Sequence, residues 1–357
     1  MSLDPKSIDR SMTARSVIDQ SNMFDYIYRF PEQLNEAKEI GENISAEKDY
    51  EKVDSIVFCG MGGSGIGGDV VSTFLNHLSD VNSTVIRGYH LPAWVNENTL
   101  VILLSYSGNT EETLSCFQHA LEKKAKVMGF SSGGILPKKL EDNGSDHFLI
   151  PSGYPPRTAL GFLSIPVLFF LRKIGLIEHE FSNEISQTID SLERWREIFG
   201  SEQDENRPFE IANKIYNTIP IIYGVSGTTE TAAVRWRCQL EENGKITAFH
   251  HSLPELNHNE IVGYENNKEL LNQLSVVWLH DIDDHDQIKK RQKTTSKIIS
   301  EYTVNQMIIE SEGDSFFERF FYLIHFGDWV SYWTAICHKI DPTPVKKIDK
   351  IKAGLVA

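Results

Sequence analysis

The octapeptide Ser105-Tyr106-Ser107-Gly108-Asn109-Thr110-Glu111-Glu112 lies between an apolar run at residues 99–104 and an amphipathic helical pattern at 113–125. Strand, tight turn and helix in that order admit few architectures, and the turn reads as a cradle for an anion. Gly108 permits a positive φ, while three hydroxyls and the free N–H groups of a starting helix converge on one point. Asn109 with Glu112 three residues on reads as a capping box, which starts that helix just after Asn109. The loop contains no lysine. The expected ligand is therefore a single phosphate monoester held by neutral donors, not a nucleoside triphosphate with its magnesium.

The same alternation extends on both sides of the loop. Short β-rich runs at residues 55–59, 83–87, 100–104, 126–130 and 147–150 are separated by helical patterns. Such alternation predicts a parallel sheet covered on both faces. The pattern restarts with a strand at 220–224, a turn at Ser226-Gly227-Thr228-Thr229, a helix to Asn243, and strands at 275–280 and 306–310. Ile56-Val57-Phe58-Cys59-Gly60 with Gly63-Ser64-Gly65 is echoed by Ile221-Ile222-Tyr223-Gly224 with Ser226-Gly227. We therefore expect two similar doubly wound α/β domains. An N-terminal helical arm covers 1–50, the first domain 51–182, a helix and linker 183–207, and the second domain 208–357, with a helix at 315–339 and a tail after Asp341-Pro342-Thr343-Pro344. Met1-Ser2-Leu3 is open to reading as a foreign leader.

A chain of 357 residues with 40% apolar content can build two real cores. Its net charge of −15, with no basic block, argues against nucleic acid or an anionic membrane as partner. The longest strongly apolar run, 165–171, is too short to span a bilayer. Cys59, Cys116, Cys238 and Cys337 are widely spaced without metal spacing, as expected of buried free thiols in a reducing compartment. The expectation is a soluble, cytoplasmic protein.

Gly60-Met61-Gly62-Gly63-Ser64-Gly65 formally matches GxGxxG between a strand and a helix. A dinucleotide site also needs an acidic residue at the end of the second strand to hold the ribose, and here that strand ends Val85-Ile86-Arg87-Gly88. The arginine suits a 2′-phosphate, but the serine-rich loop on the third strand fits an NADP enzyme poorly. Both glycine-bearing turns instead follow neighbouring parallel strands, where open sheets place their ligands. Gly62 and Gly63 would let backbone approach a sugar, with Ser64 adding a hydroxyl.

Gly62-Gly63-Ser64, the 105–111 loop, Pro155-Pro156-Arg157, Gln239-Leu240-Glu241-Glu242-Asn243 and Pro254-Glu255-Leu256-Asn257-His258-Asn259-Glu260 form a set. From about Asp54 to the C-terminus this set resembles the bifunctional phosphoglucose/phosphomannose isomerases, built from two sugar isomerase (SIS) domains. The resemblance implies interconversion of glucose 6-phosphate or mannose 6-phosphate with fructose 6-phosphate. It also implies no cofactor or metal, and a homodimer with sites near the subunit interface. A non-catalytic sugar-phosphate sensor, and an aminosugar or hexulose phosphate isomerase, are the alternatives.

Moving a proton between C1 and C2 through a cis-enediolate needs a base, a ring-opening group and positive charge for the intermediate. Glu242 suits the base: it ends a helix, where the negative dipole would help raise its pKa. Its rival Glu241 points about 100° away and can pair with Arg237 one turn back. The resemblance favours Glu242. His258 suits proton transfer at the ring oxygen, and by resemblance it crosses a dimer interface. Arg157, stiffened by two prolines, reads alone as a surface arginine paired with an acid, and the resemblance implies that it stabilises the enediolate. If the chain is helical from Val345, then Val345, Ile348 and Lys352 fall within about 60° of one another, so Lys352 alone of the tail lysines faces inward. The family places a ring-opening lysine there. Thr343 resembles the threonine that replaces a glutamine of conventional phosphoglucose isomerases and admits the mannose epimer. Ser105, Ser107 and Thr110 hold phosphate. His250 and His251 complete no metal spacing with His258, and residues 280–286, His-Asp-Ile-Asp-Asp-His-Asp, read as a solvated loop.

Overall fold

The computed structural model describes residues 8–203 and 205–356, so Met1-Ser2-Leu3 lies outside the described residues. Three helices open the chain: α1 (Met12–Ile18), α2 (Met23–Tyr28) and α3 (Phe30–Glu42). They do not form one arm. The chain divides into two compact units, one of residues 29–189 and one of residues 8–28 with 190–356, and the division passes between α2 and α3.

The unit of residues 29–189 is built on five strands: β1 (Ser55–Cys59), β2 (Asn82–Ile86), β3 (Thr99–Leu104), β4 (Lys126–Ser131) and β5 (Asp146–Leu149). They are all parallel, in the order β2-β1-β3-β4-β5. The crossovers are α4 (Gly62–Leu78), α5 (Glu111–Glu122) and α6 (Leu136–Asp142), followed by α7 (Leu160–Lys173). Every residue of β3 is buried, because a parallel strand covered on both faces needs apolar side chains in both directions. On one face Val57, Cys59, Val101 and Leu103 pack with Cys116, Phe117 and Ala120 of α5 and Leu140 of α6. The strand order reverses between β1 and β3, so the turns leaving their carboxyl ends flank the crevice at which open α/β sheets bind ligands.

Helix α8 (Ser182–Phe199) runs unbroken across the division between residues 189 and 190, inside the 183–207 stretch expected to hold a helix and linker. The second unit then adds α9 (Arg207–Ile215), α10 (Glu230–Glu242), α11 (Lys268–Leu271), α12 (Asp286–Ile299), α13 (Phe316–Cys337) and α14 (Lys346–Val356). Its four parallel strands are β6 (Ile219–Val225), β7 (Phe249–Leu253), β8 (Leu274–His280) and β9 (Asn305–Glu310), in the order β7-β6-β8-β9. Sequence reading found three of these and missed β7. That strand is an edge whose Phe249-His250-His251-Ser252-Leu253 gives no apolar run.

Helix α13 is buried over almost its whole length and fixes α10 in place. Asp328 accepts from Arg235 at 3.0 and 2.7 Å and from Gln239 at 2.9 Å. Trp236 donates to the Leu323 carbonyl at 2.7 Å, and Asn243 to Ser331 at 3.0 Å. These bonds set the axial position of α10, and with it the place of Glu242 at its end. Among the described residues no helix is long and apolar enough to cross a membrane. The four cysteines are free; Cys238 is only half-buried, and the other three are buried.

Candidate active site

The loop after β3 has the expected strand-to-helix form. Gly108 has φ 64°, and a Cβ there would lie 1.7 Å from the Gly133 carbonyl oxygen, so no side chain fits. Ser105 is buried and donates to the Thr110 hydroxyl at 3.0 Å, while Ser107 is exposed. The expected capping box does not form. Helix α5 begins at Glu111 with Thr110 as its cap residue, and no side chain caps it. Asn109 is drawn elsewhere: its Oδ1 accepts from the Ile135 amide at 3.0 Å. No side chain therefore caps the first turn of α5, and uncapped N–H groups at a helix start are the kind of group that favours an anion.

The turn after β1 braces this loop. The Ser64 Oγ accepts from the Tyr106 amide at 3.0 Å, so this hydroxyl holds the cradle in place where it was expected to face a sugar. A Cβ on Gly63 would lie 2.5 Å from the Pro156 carbonyl oxygen, so Gly63 is a glycine because the Pro155-Pro156-Arg157 turn packs directly on it. Gly62 is exposed, has φ 50°, and would meet nothing within 4 Å, leaving it on the open side. Arg157, only 5% exposed, sits in the 3₁₀ turn Pro156–Thr158. Gln33 ties that turn down, donating to the Thr158 carbonyl at 2.7 Å and accepting from the Gly161 amide at 2.8 Å. The Tyr106 hydroxyl donates to the Pro151 carbonyl at 3.0 Å and accepts from the Tyr154 amide at 2.9 Å. Gly62, Gly63, Ser64, Ser105, Ser107, Thr110 and Arg157 thus belong to three mutually braced loops. Arg87, weighed for a 2′-phosphate, is paired with Asp69 of α4.

In the other unit, Glu242 is the last residue of α10, half-buried in the wall of a cavity of about 900 Å³. Glu241 pairs with Arg237 at 2.8 Å, the one-turn ion pair expected from spacing. Lys245, Asp341 and Pro344 share the cavity wall with Glu242. Thr343 follows in the approach to α14, its amide donating to Asp341 Oδ1 at 3.0 Å. Helix α14 forms where the tail lysines were placed, but Lys352 is exposed within the chain. The same stripe carries Ile351, 64% exposed, and Leu355, 71% exposed. The expectation that Lys352 alone of the tail lysines faces inward is not met within this chain, where Ile348 and Lys352 are both exposed along with the other tail lysines.

His258 ends the 3₁₀ turn Glu255–His258 and is exposed. Its segment is anchored on both sides. Leu256 is buried in the core, Asn257 donates to Thr295 at 2.7 Å, and the Glu260 carboxylate accepts from the Tyr223 hydroxyl. His250 lies on β7, where burial lowers its pKa. Among the described residues no three His, Cys, Asp or Glu side chains are grouped to hold a metal.

The echo of the cradle after β6 is filled by the protein's own groups. Ser226 and Ser252 donate to the Glu230 carboxylate at 3.0 and 2.9 Å, and Thr228 donates to Asp284 at 2.7 Å. These carboxylates would repel an anion. The 280–286 segment is less solvated than expected: Asp281 and Asp284 are buried, and Asp281 pairs with Arg319 at 3.0 Å. Sequence reading missed Lys245, whose ammonium donates to the Glu242 and Pro342 carbonyls; a lysine closing a helix end was the available signal.

Residues 204–355 match the family described as bacterial phospho-glucose isomerase C-terminal SIS domain, and residues 49–135 match the SIS domain. The chain is 44% identical over 335 residues to a bifunctional phosphoglucose/phosphomannose isomerase of Caldicellulosiruptor bescii, covering 93% of this chain and 98% of that one. It is 38% identical over 309 residues to the enzyme of that name from Aquifex aeolicus, covering 86% and 92%. Among solved structures, the C-terminal domain of glucosamine-fructose-6-phosphate aminotransferase from Francisella tularensis superposes with a TM-score of 0.71 at 16% identity. It covers 90% of this chain and 98% of that one, a likeness of fold.

Proposed function

The chain belongs to the bifunctional phosphoglucose/phosphomannose isomerase family, and we propose that it interconverts glucose 6-phosphate and mannose 6-phosphate with fructose 6-phosphate. The observation that carries this reading is the uncharged cradle at Ser105, Ser107 and Thr110, left uncapped at the start of α5 and braced from β1. Neutral donors at a helix N-terminus suit a phosphate monoester. Held by its terminal ester, a hexose presents C1 and C2 to groups that need no further charge for binding.

In this reading Glu242 removes the proton from C2 of the aldose and returns it to C1, and the reverse reaction uses the same atoms. A positioned general base contributes about 10²- to 10⁴-fold. Arg157 balances the charge that develops on the enediolate oxygens, a role suited to a buried guanidinium on a rigid turn. His258 and Lys352 move protons at the ring oxygen and open the ring. Gly62 gives the sugar an open face, Gly63 and Ser64 hold the loops that shape it, and Thr343 leaves room for either C2 epimer. The overall reaction is redox-neutral, so no external electron carrier enters its balance. The working form we propose is a cytoplasmic homodimer. The exposure of His258, and of the stripe holding Lys352, Ile351 and Leu355, supports a second copy covering them.

The test is a coupled assay with glucose 6-phosphate and mannose 6-phosphate as separate substrates. Turnover of both supports the reading. Turnover of one removes the second epimer, and turnover of neither removes the isomerase.

A further inference from the structure

The chain leaves α10 through Asn243-Gly244-Lys245, and Lys245 takes a left-handed backbone conformation with φ 55°. A β-carbon disfavours that region, which glycine and asparagine enter easily. The half-buried ammonium of Lys245 donates to the carbonyl of Glu242 and, at 2.8 Å, to the carbonyl of Pro342. The first acceptor lies in the last turn of α10, where carbonyls lack partners along the helix. The second belongs to a turn that Asp341 closes by accepting from the Thr343 amide. One cation therefore joins the helix end that carries Glu242 to the segment that carries Thr343, and it lines the same cavity as Glu242.

We propose that Lys245 is a positioning residue for the isomerisation, clamping the end of α10 to the 341–343 turn so that the Glu242 carboxylate keeps one direction. This inference rests on the reading of Glu242 as the base. Substrate affinity is assigned to the phosphate cradle and not to Glu242, so losing the clamp affects turnover more than binding. A misplacement of about 1 Å at the reacting atoms costs up to about 10²-fold in rate.

The test uses Lys245→Gly, because glycine adopts the same turn without strain while removing the ammonium. We expect kcat for fructose 6-phosphate to fall about 10- to 100-fold with KM within about threefold. Ethylammonium added to the variant should restore several-fold activity, and Lys245→Arg, whose guanidinium can bridge the same carbonyls, should keep at least about a third of wild-type kcat. Glu242→Gln is measured beside them. If Glu242→Gln is inactive while Lys245→Gly turns over within about twofold of wild type, the clamp is overturned and the base assignment stands. If Lys245→Gly loses activity through KM alone, with no response to the amine, the clamp is likewise overturned. Full activity in Glu242→Gln overturns the base assignment and the clamp with it.

Discussion

The side chain of Ser64, at the start of α4, accepts a hydrogen bond from the backbone amide of Tyr106 at 3.0 Å, and through this bond the turn after β1 holds the loop after β3. Ser64→Ala leaves a buried N–H without its acceptor, a loss of about 1–3 kcal/mol. The expected outcome is a lower melting temperature together with a rise in KM of about tenfold, since about 1.4 kcal/mol of lost binding is tenfold in affinity. Thermal denaturation and steady-state kinetics check both, and kcat within about threefold of wild type separates a binding defect from a catalytic one.

Asp328 is the hub that fixes α10 to α13, accepting from Arg235 and Gln239 in a buried setting. Asp328→Leu strands the Arg235 guanidinium and should lower the unfolding free energy by about 3–5 kcal/mol. Arg235→Met combined with Asp328→Leu should recover much of that loss, because the stranded charge is gone. Denaturant titrations of both variants, compared at equal slope, measure the difference.

His325 is fully buried, and burial, aided by Arg196 and Arg235, pushes its pKa down to about 3; its Nε2 accepts from Trp329 at 2.9 Å. The unfolded chain protonates this group near pH 6.5, and the folded chain does so only near 3, so folding stability is fully present above pH 6.5 and declines as pH falls toward 3. The slope from one such group is about half of 1.4 kcal/mol per pH unit near pH 6.5 and approaches about 1.4 below pH 5.5. His325→Gln keeps an acceptor for Trp329 and should flatten the decline by that amount. Chemical denaturation at several pH values between 5 and 7 reads the two slopes, and equal slopes would contradict the assignment.

Thr343 stands in the turn that Asp341 closes, half-buried and short. Thr343→Gln fills the space assigned to the second epimer. The expected outcome is a fall of at least about tenfold in kcat/KM for mannose 6-phosphate, with glucose 6-phosphate within about threefold, as steric exclusion costs a few kcal/mol against one epimer. Separate assays with the two aldoses give the ratio.

The first sheet was legible because β3 is apolar from Leu100 to Leu104 and its neighbours alternate with clear helices; pattern alone gave five strands and the turn that Gly108 makes possible. What sequence missed depended on partners far along the chain. Asn109 looks like a helix cap until Ile135 takes its side chain, and β7 shows no strand pattern because an edge position tolerates two histidines. The roles of Ser64 and Lys245 rest on bonds to Tyr106 and Pro342, which local spacing does not reveal. For Lys352 the helix formed as expected but the inward direction did not, because periodicity says which residues share a face and nothing of what covers it.

The account depends most on Glu242 as the group that carries hydrogen between C1 and C2. Fructose 6-phosphate incubated with the enzyme in deuterium oxide, followed by proton NMR, measures that transfer directly, because a base open to solvent exchanges the proton it holds. Wild type is expected to place deuterium at C2 of the aldose product, and Glu242→Gln to lose exchange by about 10²-fold or more while still binding the sugar phosphate. Exchange at the wild-type rate in Glu242→Gln would contradict the account.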